Sequence, residues 1–315
     1  MPECVTAIVV NWNAGENLAR CIAALLDQRE TDLDVVVVDN ASSDNSLEAL
    51  ETYGDRVRVI QTGANLGFGS AVNRGVAVSH SALVIALNPD VVLQPDAVNK
   101  MVEFLNTHAN VGMVGPKLKD ADGQVLASCG EAPRLRDEIC RKFLLHLIFP
   151  LLKFRRRRPT KPEAVAWVTG ACFAVRRRVL SAVNGLDEAI FMYYEDVDLG
   201  LCINRAGWQV MYLPCAEGIH IGGESSKQAL TRMLVASEAS YAYFIAKHLG
   251  QWAARLLRLL RPVEMTLRTL LWGSVFLIAH SRRTEARARL RAYWFILTNN
   301  TSAHALTHGA VEEGP

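Results

Sequence analysis

The first third of the chain alternates short apolar runs with segments of helical periodicity, and this alternation restricts the fold more than any other feature. Val5–Val10, Asp34–Val38, Val57–Gln61 and Leu83–Leu87 are apolar runs, most of them rich in valine and isoleucine, as strands covered on both faces are. Helical segments separate these runs. The repetition predicts an open, mostly parallel α/β sheet with helices on both faces. Such sheets bind ligands at the loops that leave the carboxyl ends of their strands.

The composition restricts the partners and the compartment. The 315 residues carry 34 Lys and Arg against 32 Asp and Glu, so the total charge gives no reason to expect nucleic-acid binding. Seven cysteines occur without a Cys-x-x-Cys pair, which predicts reduced thiols in the cytoplasm. Pro2 and Glu3 stand where a secretory signal would be basic. No segment reaches the ~20 apolar residues that span a bilayer.

The patterning also predicts a division of the chain. Regular strand and helix signals continue to about Gly223, with an apolar and basic insertion near 131–162. We therefore expect an α/β domain over 1–225. A helical, Arg-rich and Leu-rich region should follow over 226–297, and a polar, disordered tail over 298–315.

Polar residues follow three of the predicted strands where they end. Asn11-Trp12-Asn13 follows the first strand, Asp39-Asn40 the second and Asn88-Pro89-Asp90 the fourth. A carboxylate such as Asp39 can accept the ring N–H of a nucleotide base, and a carboxylate such as Asp90 can hold a divalent cation on a diphosphate. Each of these residues alone also suits a turn or a helix cap. Three such exits together favour a ligand site.

A glycine-rich loop follows the third strand, over Asn65–Gly75. Gly67 and Gly69 let a ligand approach the backbone, and the helix that follows presents its N-terminus to a negative group. The loop is not a dinucleotide-binding fingerprint, because it does not follow the first strand and its glycine spacing differs.

Two further features are candidates for catalysis and metal binding. Glu195, Asp196 and Asp198 follow the aromatic run Phe191–Tyr194, where partial burial would give one carboxylate a pKa suited to a general base. The same acids also suit the first turn of a helix. His220 can complete the ligand set of a metal held by one carboxylate. A lone histidine after a strand is more often not a ligand, so this assignment depends on Asp90.

Together these segments resemble family-2 inverting glycosyltransferases of the GT-A fold, and among them the rhamnosyltransferases and galactofuranosyltransferases that build bacterial cell-surface glycans. The resemblance covers residues 4–225. It rests on Ile8–Asn13, Val38–Asp44, Asn65–Gly75, Asn88–Asp90, Thr169–Ala171 and Tyr194–Asp198. It implies a GT-A domain whose nucleotide-binding half is 1–115 and whose acceptor and catalytic half is 116–225, with a C-terminal helical extension.

The resemblance also implies roles for individual residues. Asp196 would be the catalytic base, Asp90 and His220 the ligands of Mg²⁺ or Mn²⁺, and Trp167 and Glu195 acceptor contacts. The donor, a dTDP- or UDP-sugar, would contact Asn11, Asn13, Asp39, Asn65, Gly67, Asn73, Asn88 and Gly170. The family's usual Asp-x-Asp is here Asn88-Pro89-Asp90, so the first carboxylate is missing.

The implied reaction is a single displacement with inversion. Asp196 removes the proton of an acceptor hydroxyl, on a glycan or a polyprenyl-linked glycan, and the hydroxyl attacks the anomeric carbon of a rhamnose-like sugar. One alternative is an inactive scaffold of the same fold that only binds nucleotide sugars. Another is a nucleotidyltransferase. That class would have a Gly-rich loop with Lys or Arg directly after the first strand, and it is disfavoured because residues 11–17 contain no Lys or Arg.

The helical region raises the question of membrane binding. On a helical wheel, Leu256, Leu259 and other apolar residues up to Leu271 fall on one side, and Arg258, Arg261, Glu264 and Arg268 on the other. A basic amphipathic helix of this kind can lie in an anionic membrane interface. This predicts peripheral association with the inner face of the cell membrane. The alternative is packing against protein, either the rest of the chain or a second copy in a homo-oligomer.

Overall fold

The computed structural model describes residues 4–148, 156–222 and 230–299, apart from the side chain of His146. Residues 149–155 of the predicted insertion and the tail from 300 onward lie outside the described residues. The chain divides into two compact units. Unit 1 comprises Met1–Ala132, Arg156–Glu188 and Glu195–Ser225, and unit 2 comprises Pro133–Arg155, Ala189–Tyr194 and Ser226–Pro315.

Unit 1 contains the strands. In chain order they are β1 Val5–Asn11, β2 Leu33–Asp39, β3 Val57–Gln61, β4 Leu83–Leu87, β5 Val91–Leu93, β6 Val111–Lys119, β7 Cys129–Gly130, β8 Arg156–Arg157, β9 Glu163–Val165, β10 Trp167–Val168, β11 Cys172–Arg176 and β12 Gln209–His220. Nine of them form the main sheet, in the order β3-β2-β1-β4-β11-β6-β12-β5, with β9 also paired to β12. The other three form a small sheet in the order β10-β7-β8.

Most strands of the main sheet run in one direction. β3, β2, β1 and β4 are parallel neighbours. β11 is antiparallel to both β4 and β6, so β6 runs with β4, and β12 is parallel to β6. The sheet is therefore mostly parallel, as the alternation predicts, with β5, β9 and β11 reversed.

Burial on both faces explains why the strand sequences are nearly continuous apolar runs. All seven residues of β1 are buried. Alternate residues belong to different core clusters: Val5, Ala7 and Val9 lie in one, and Ile8 and Val10 in the other. Each of these valine and isoleucine side chains contributes about 1.5–3 kcal/mol when it is fully buried.

The helices of unit 1 cover this sheet. They are α1 Glu16–Leu26, the 3₁₀ segment Glu48–Arg56, α2 Phe68–Val78, α3 Ala97–Thr107, α6 Arg177–Ala182 and α7 Glu195–Arg205. α2 packs closely on β1, because a Cβ atom at Gly75 would lie 2.6 Å from Ile8 Cγ2. The helical segment expected between the second and third apolar runs is this 3₁₀ segment, which is interrupted at Gly54, whose φ is 53°.

Unit 2 is helical. Its helices are α4 Leu135–Lys142, α5 Leu145–Ile148, α8 Leu230–Leu249, α9 Gln251–Ile278 and α10 Arg283–Thr298. Val235, Met265, Ala292, Tyr293 and Ile296 form an apolar cluster between α8, α9 and α10. Among the described residues, none of the helices combines the length and apolarity needed to cross a bilayer.

The insertion near 131–162 differs from its predicted place. We assigned it to the acceptor half of the α/β domain, but Pro133–Arg155 belongs to unit 2. The reason is electrostatic. Lys142 Nζ lies 2.7 Å from Glu264 Oε2, and Arg141 Nη1 lies 3.2 Å from Glu264 Oε1, with both Lys142 and Glu264 buried. Local sequence patterns cannot predict ion pairs between residues that are so far apart in the chain.

The long helix α9 also differs from its predicted orientation. It continues through Pro262, and its buried side chains are Ala253, Leu257, Glu264 and Met265. Arg268 on the same helix lies 3.0 Å from Glu264. Burial by itself raises the pKa of Glu264, but Arg141, Lys142 and Arg268 outweigh burial and lower it. The polar side of the predicted amphipathic helix is therefore partly internal.

Candidate active site

The strand ends that carry polar residues lie on one edge of the main sheet. β1, β2, β4 and β12 run in the same direction, so their carboxyl ends share this edge. Asn11 pairs in register with Asp39, and the backbone N–H of Asn88 donates to Ala171 O at 2.9 Å. His220 is the last residue of β12. The sheet topology thus gathers the predicted residues at one edge.

Asp39 is held in a buried network. Asn11 Nδ2 donates to Asp39 Oδ1 at 2.8 Å, and Ser42 Oγ donates to the same oxygen at 2.6 Å. Asn11 Nδ2 also lies 2.9 Å from Ser46 Oγ. Asn11 and Asp39 are both buried. Asn11 therefore orients Asp39 through its Nδ2, while its buried Oδ1 accepts no hydrogen bond from the described residues, and its predicted donor contact stays a prediction.

Asn13 connects two loops at this edge. It adopts a φ of 50°, which is uncommon for residues other than glycine, and its Oδ1 accepts the N–H of Ser43 at 2.8 Å. Asp44 accepts the N–H of Gly15 at 2.8 Å. Burial alone raises the pKa of Asp44, but these bonds and those from Ser46 outweigh burial and lower it. Sequence reasoning treated Ser42, Asp44 and Ser46 as loop and capping residues and missed this role.

The glycine-rich loop is attached to the same network. Gly67 has a φ of 83°, and its N–H donates to Asn65 Oδ1 at 3.0 Å. Asn40 Nδ2 donates to Gly67 O at 3.1 Å. This fixes the entry to α2 beside Asp39. Asn40 therefore belongs to the site as a positioning residue, although we had not assigned it a role.

Asn73 has a different role from the predicted donor contact. Its Nδ2 donates to Leu186 O at 2.8 Å and to Glu188 Oε1 at 3.0 Å, and its Oδ1 accepts the N–H of Leu186 at 3.0 Å. These bonds occupy both amide groups. A Cβ atom at Gly185 would lie 2.6 Å from Asn73 Oδ1. Asn73 therefore anchors the loop 185–188 to α2.

Asp90 and His220 form a pair at the ends of β4 and β12. Asp90 Oδ1 lies 3.3 Å from His220 Nε2, and Asp90 Oδ2 accepts the N–H of Gly222 at 3.1 Å. Asp90 Oδ1 is buried and accepts no hydrogen bond from the described residues. An oxygen in that condition is costly unless a cation, a water or another donor satisfies it. A carboxylate and an imidazole suit a divalent cation that also takes oxygen ligands from a diphosphate.

Asp196 lies at the start of α7 and is fixed by the backbone. Its Oδ2 accepts the N–H of Gly170 at 2.8 Å, and its Oδ1 accepts the N–H of Val197 at 2.7 Å. Burial raises the pKa of Asp196, against the effect of these two bonds. Gly170 therefore orients the predicted base, and its predicted donor contact stays a proposal.

Glu195 differs from its neighbour. It is buried, and its Oε2 has no hydrogen-bond partner within the described parts of the chain. Burial, followed by the charge of Asp196, raises the pKa of Glu195 to about 8. Burial therefore favours the protonated form of Glu195, whereas the hydrogen-bonded Asp196 is the carboxylate better suited to accept a proton.

Trp167 does not have the exposed position expected of an acceptor contact. It is buried, and its Nε1 donates to Glu131 O at 3.1 Å. A Cβ atom at Gly130 would lie 2.5 Å from the Trp167 ring. Trp167 is therefore a core residue that joins the small sheet to α7. Glu195 is buried as well, and its predicted acceptor contact stays a prediction.

Comparisons with known proteins show what the whole chain is similar to. Residues 6–183 match the model for Glycosyl transferase family 2. An N-acetylglucosaminyl-diphospho-decaprenol L-rhamnosyltransferase from Mycobacterium tuberculosis is 31% identical over 308 residues, which cover 92% of this chain and 98% of that protein. The rhamnosyltransferase WbbL of Escherichia coli is 22% identical over 242 residues, covering 71% of this chain and 86% of that protein.

Solved structures agree with the fold. A mannosyltransferase from Pyrobaculum calidifontis, in complex with GDP-Man and Mn²⁺, matches with a TM-score of 0.55 and 18% identity, covering 96% of this chain and 89% of that chain. GalNAc-T7 with UDP, GalNAc and Mn²⁺ matches with a TM-score of 0.54 and 15% identity, covering 78% of this chain and 50% of that chain. At these identities the likeness shows the fold alone, and the predicted fold is confirmed.

Proposed function

Since the chain belongs to glycosyltransferase family 2, we propose that it transfers an L-rhamnosyl residue to a lipid-linked N-acetylglucosaminyl diphosphate, in the synthesis of bacterial cell-surface polysaccharide. The similarity to the Mycobacterium tuberculosis rhamnosyltransferase supports this choice, because it extends over nearly the full length of both proteins. The donor is a nucleotide diphosphate sugar, with dTDP-rhamnose as the first candidate and UDP-rhamnose as the second.

The observation that carries the proposal is the Asp90–His220 pair. Its carboxylate oxygen is buried without a hydrogen bond in the described structure, and it lies at the same sheet edge as Asp39. Asp39 offers an acceptor to the base of the nucleotide. Asp90 and His220 would hold Mg²⁺ or Mn²⁺, which neutralises the charge of a departing diphosphate when it is bound.

Asp196 acts as the general base. Its two oxygens are oriented by the backbone N–H groups of Gly170 and Val197, so the carboxylate keeps one direction while it accepts the proton of the acceptor hydroxyl. The hydroxyl oxygen then forms the new bond to the anomeric carbon. The bond from that carbon to the diphosphate oxygen breaks on the opposite side, so the configuration inverts.

A donor screen tests the proposal. The full chain is incubated with Mn²⁺, a short-chain polyprenyl diphosphate N-acetylglucosamine, and dTDP-rhamnose, UDP-rhamnose, UDP-galactofuranose or GDP-mannose. Acceptor-dependent release of the nucleoside diphosphate should be fastest with a rhamnose donor, and NMR of the product gives its anomeric configuration. Release from another sugar alone would contradict the donor assignment. Retention of configuration would contradict the single displacement.

A further inference from the structure

The helix α9 carries a narrow apolar stripe on its outer side. At 100° per residue, Trp252, Leu259, Val263, Leu270 and Leu277 all fall within an arc of about 40°. These side chains are exposed, with Trp252 at 69%, Leu259 at 77%, Leu270 at 67% and Leu277 at 71%. Apolar side chains that are aligned and exposed over most of a 28-residue helix indicate a surface for interaction with another molecule or a membrane.

The rotation of α9 that exposes this stripe is fixed by buried charges. Glu264 lies about 120° around the helix from Leu270. It is buried against Lys142, Arg141 and Arg268 at 2.7–3.2 Å. Turning the stripe inward would expose Glu264 and leave Lys142, which is also buried, without its closest partner. Uncompensated buried charge is strongly unfavourable. Exposure of the apolar stripe is therefore built into unit 2.

The charge around the stripe distinguishes its partners. Residues 251–299 contain nine arginines and two acids. One acid, Glu264, is buried, and the other, Glu285, pairs with Arg282 and Arg289 at 2.9 Å. Two copies of the stripe would bring arginines together with no exposed acid to pair with them. An anionic surface instead complements both the apolar side chains and the arginines.

Arginines at the end of the stripe are fixed by aromatic rings. The guanidinium carbons of Arg282 and Arg289 lie 5.0 and 4.3 Å from the centre of the Trp272 ring. Arg283 and Arg287 lie 5.5 and 5.4 Å from the Phe276 ring. These contacts hold a group of cations beside Leu277 and Ile278, both of which are exposed. Closely spaced arginines beside apolar side chains suit phosphate headgroups above acyl chains.

We propose that the outer side of α9, with the arginines of residues 255–291, is a docking surface for an anionic lipid bilayer. The helix lies in the plane of the interface, with its apolar stripe in the upper acyl region and its arginines at the phosphates. This surface adds to the proposed function a means of reaching a lipid-linked acceptor. Its test does not depend on sugar transfer.

The test is co-sedimentation of the full chain with vesicles, without donor or acceptor. At 50 mM salt, the protein should bind vesicles of phosphatidylglycerol and phosphatidylcholine at least tenfold more strongly than vesicles of phosphatidylcholine alone, and 500 mM salt should weaken the binding. The double variant Leu259→Glu and Leu270→Glu should lose at least tenfold in partitioning. Leu259→Met with Leu270→Met, which keeps an apolar stripe, should retain it.

Charge reversal gives a second comparison. Arg255→Glu with Arg258→Glu, both exposed on α9, should reduce binding to anionic vesicles about tenfold or more. Arg20→Glu, an exposed residue on α1 in unit 1, should leave binding unchanged. Circular dichroism checks that each variant is folded. Binding that is equal in parent and double Glu variant would overturn the proposal. The proposal would also be overturned if the parent did not bind vesicles and light scattering showed that it is a dimer which dissociates in L259E/L270E.

Discussion

The sheet edge of unit 1 has buried polar atoms that lack hydrogen bonds from the described residues, whereas the long helix of unit 2 has exposed apolar side chains. At the edge, polar side chains are buried, and Asp90 Oδ1 and Glu195 Oε2 have no hydrogen bond in the described structure. On α9, the buried charge of Glu264 is paired with Lys142, whereas Leu259, Leu270 and Leu277 face outward. Each region is deficient in one kind of contact. The edge needs a polar ligand, and the helix needs an apolar surface.

The residues proposed for catalysis and those proposed for membrane binding lie in different units of this chain. The candidates for donor, metal and base lie in unit 1, and the apolar stripe with its arginines lies in unit 2. Substitutions in one region should therefore change one property and spare the other. The predictions below test this separation, beginning with the largest expected effect.

Asp196→Asn should lower the rate of sugar transfer about 10²–10⁴-fold, because the variant keeps the shape of the side chain but loses the proton acceptor. Affinity for the nucleoside diphosphate should stay within a factor of three, since Asp39 and the loop 65–67 are unchanged. Steady-state kinetics and calorimetric titration with the nucleotide measure the two quantities. If Glu195→Gln were inactive and Asp196→Asn active, the base would be Glu195.

Glu264→Gln should lower the free energy of unfolding by about 3–5 kcal/mol, because it leaves Lys142 and Arg141 buried with too little negative charge. Glu285→Gln on α10 is the matched control, and its exposed pairs with Arg282 and Arg289 should contribute about 1 kcal/mol or less. Urea denaturation followed by circular dichroism measures both variants. Equal stability of the two would mean that the buried cluster does not fix the rotation of α9.

His220→Ala should reduce the affinity for Mn²⁺ about 10–100-fold and leave vesicle binding unchanged. The reason is that one of the two protein ligands is lost while the Asp90 carboxylate remains. Isothermal titration with Mn²⁺ in the presence of the nucleoside diphosphate provides the readout. An unchanged Mn²⁺ affinity would make His220 a structural partner of Asp90.

Glu195→Gln should have the smallest effect on the rate of sugar transfer. Its main effect should be on the stability of the fold. The folded pKa of Glu195, raised to about 8 by burial, exceeds its unfolded value. Its contribution to stability is therefore complete below the unfolded pKa and is lost as the pH rises through about 8. At pH 8.5 the variant should be more stable than the parent by several kcal/mol, and at pH 4 the two should agree. Parallel stability profiles from pH 4 to 9 would contradict this assignment.

Local patterns in the sequence were sufficient for the first four strands and for the edge that carries the site. β3 and β4 begin and end where the sequence predicts. β4 is a continuous apolar run that is buried throughout, whereas β3, at the edge of the sheet, is largely exposed. The reversed strand β11 and the partners of Glu264 could not be predicted, since both depend on contacts between distant parts of the chain. The same holds for Trp167, because only tertiary packing reveals that Gly130 lies against its ring and Gly200 against its Cα and Cβ atoms.

Within the site, residue type was a good guide to which residues lie at the site. It was a poorer guide to the role of each residue. Asp90, Asp196 and His220 have geometry that suits their assigned chemistry. Asn11 and Asn73 instead support other residues, because an amide can satisfy buried partners as readily as it can bind a ligand.

The central claim is that Asp90 supports cation-assisted sugar transfer at this sheet edge, and a Mn²⁺ titration of acceptor-dependent nucleoside diphosphate release tests it most directly. The parent should be inactive in excess EDTA and regain activity as Mn²⁺ is added. Asp90→Asn should be folded, bind vesicles as the parent does, and stay about 10³-fold slower even at saturating Mn²⁺, because several kcal/mol of charge stabilisation are lost. Full activity of the parent in EDTA, or parental rates in Asp90→Asn, would contradict the account.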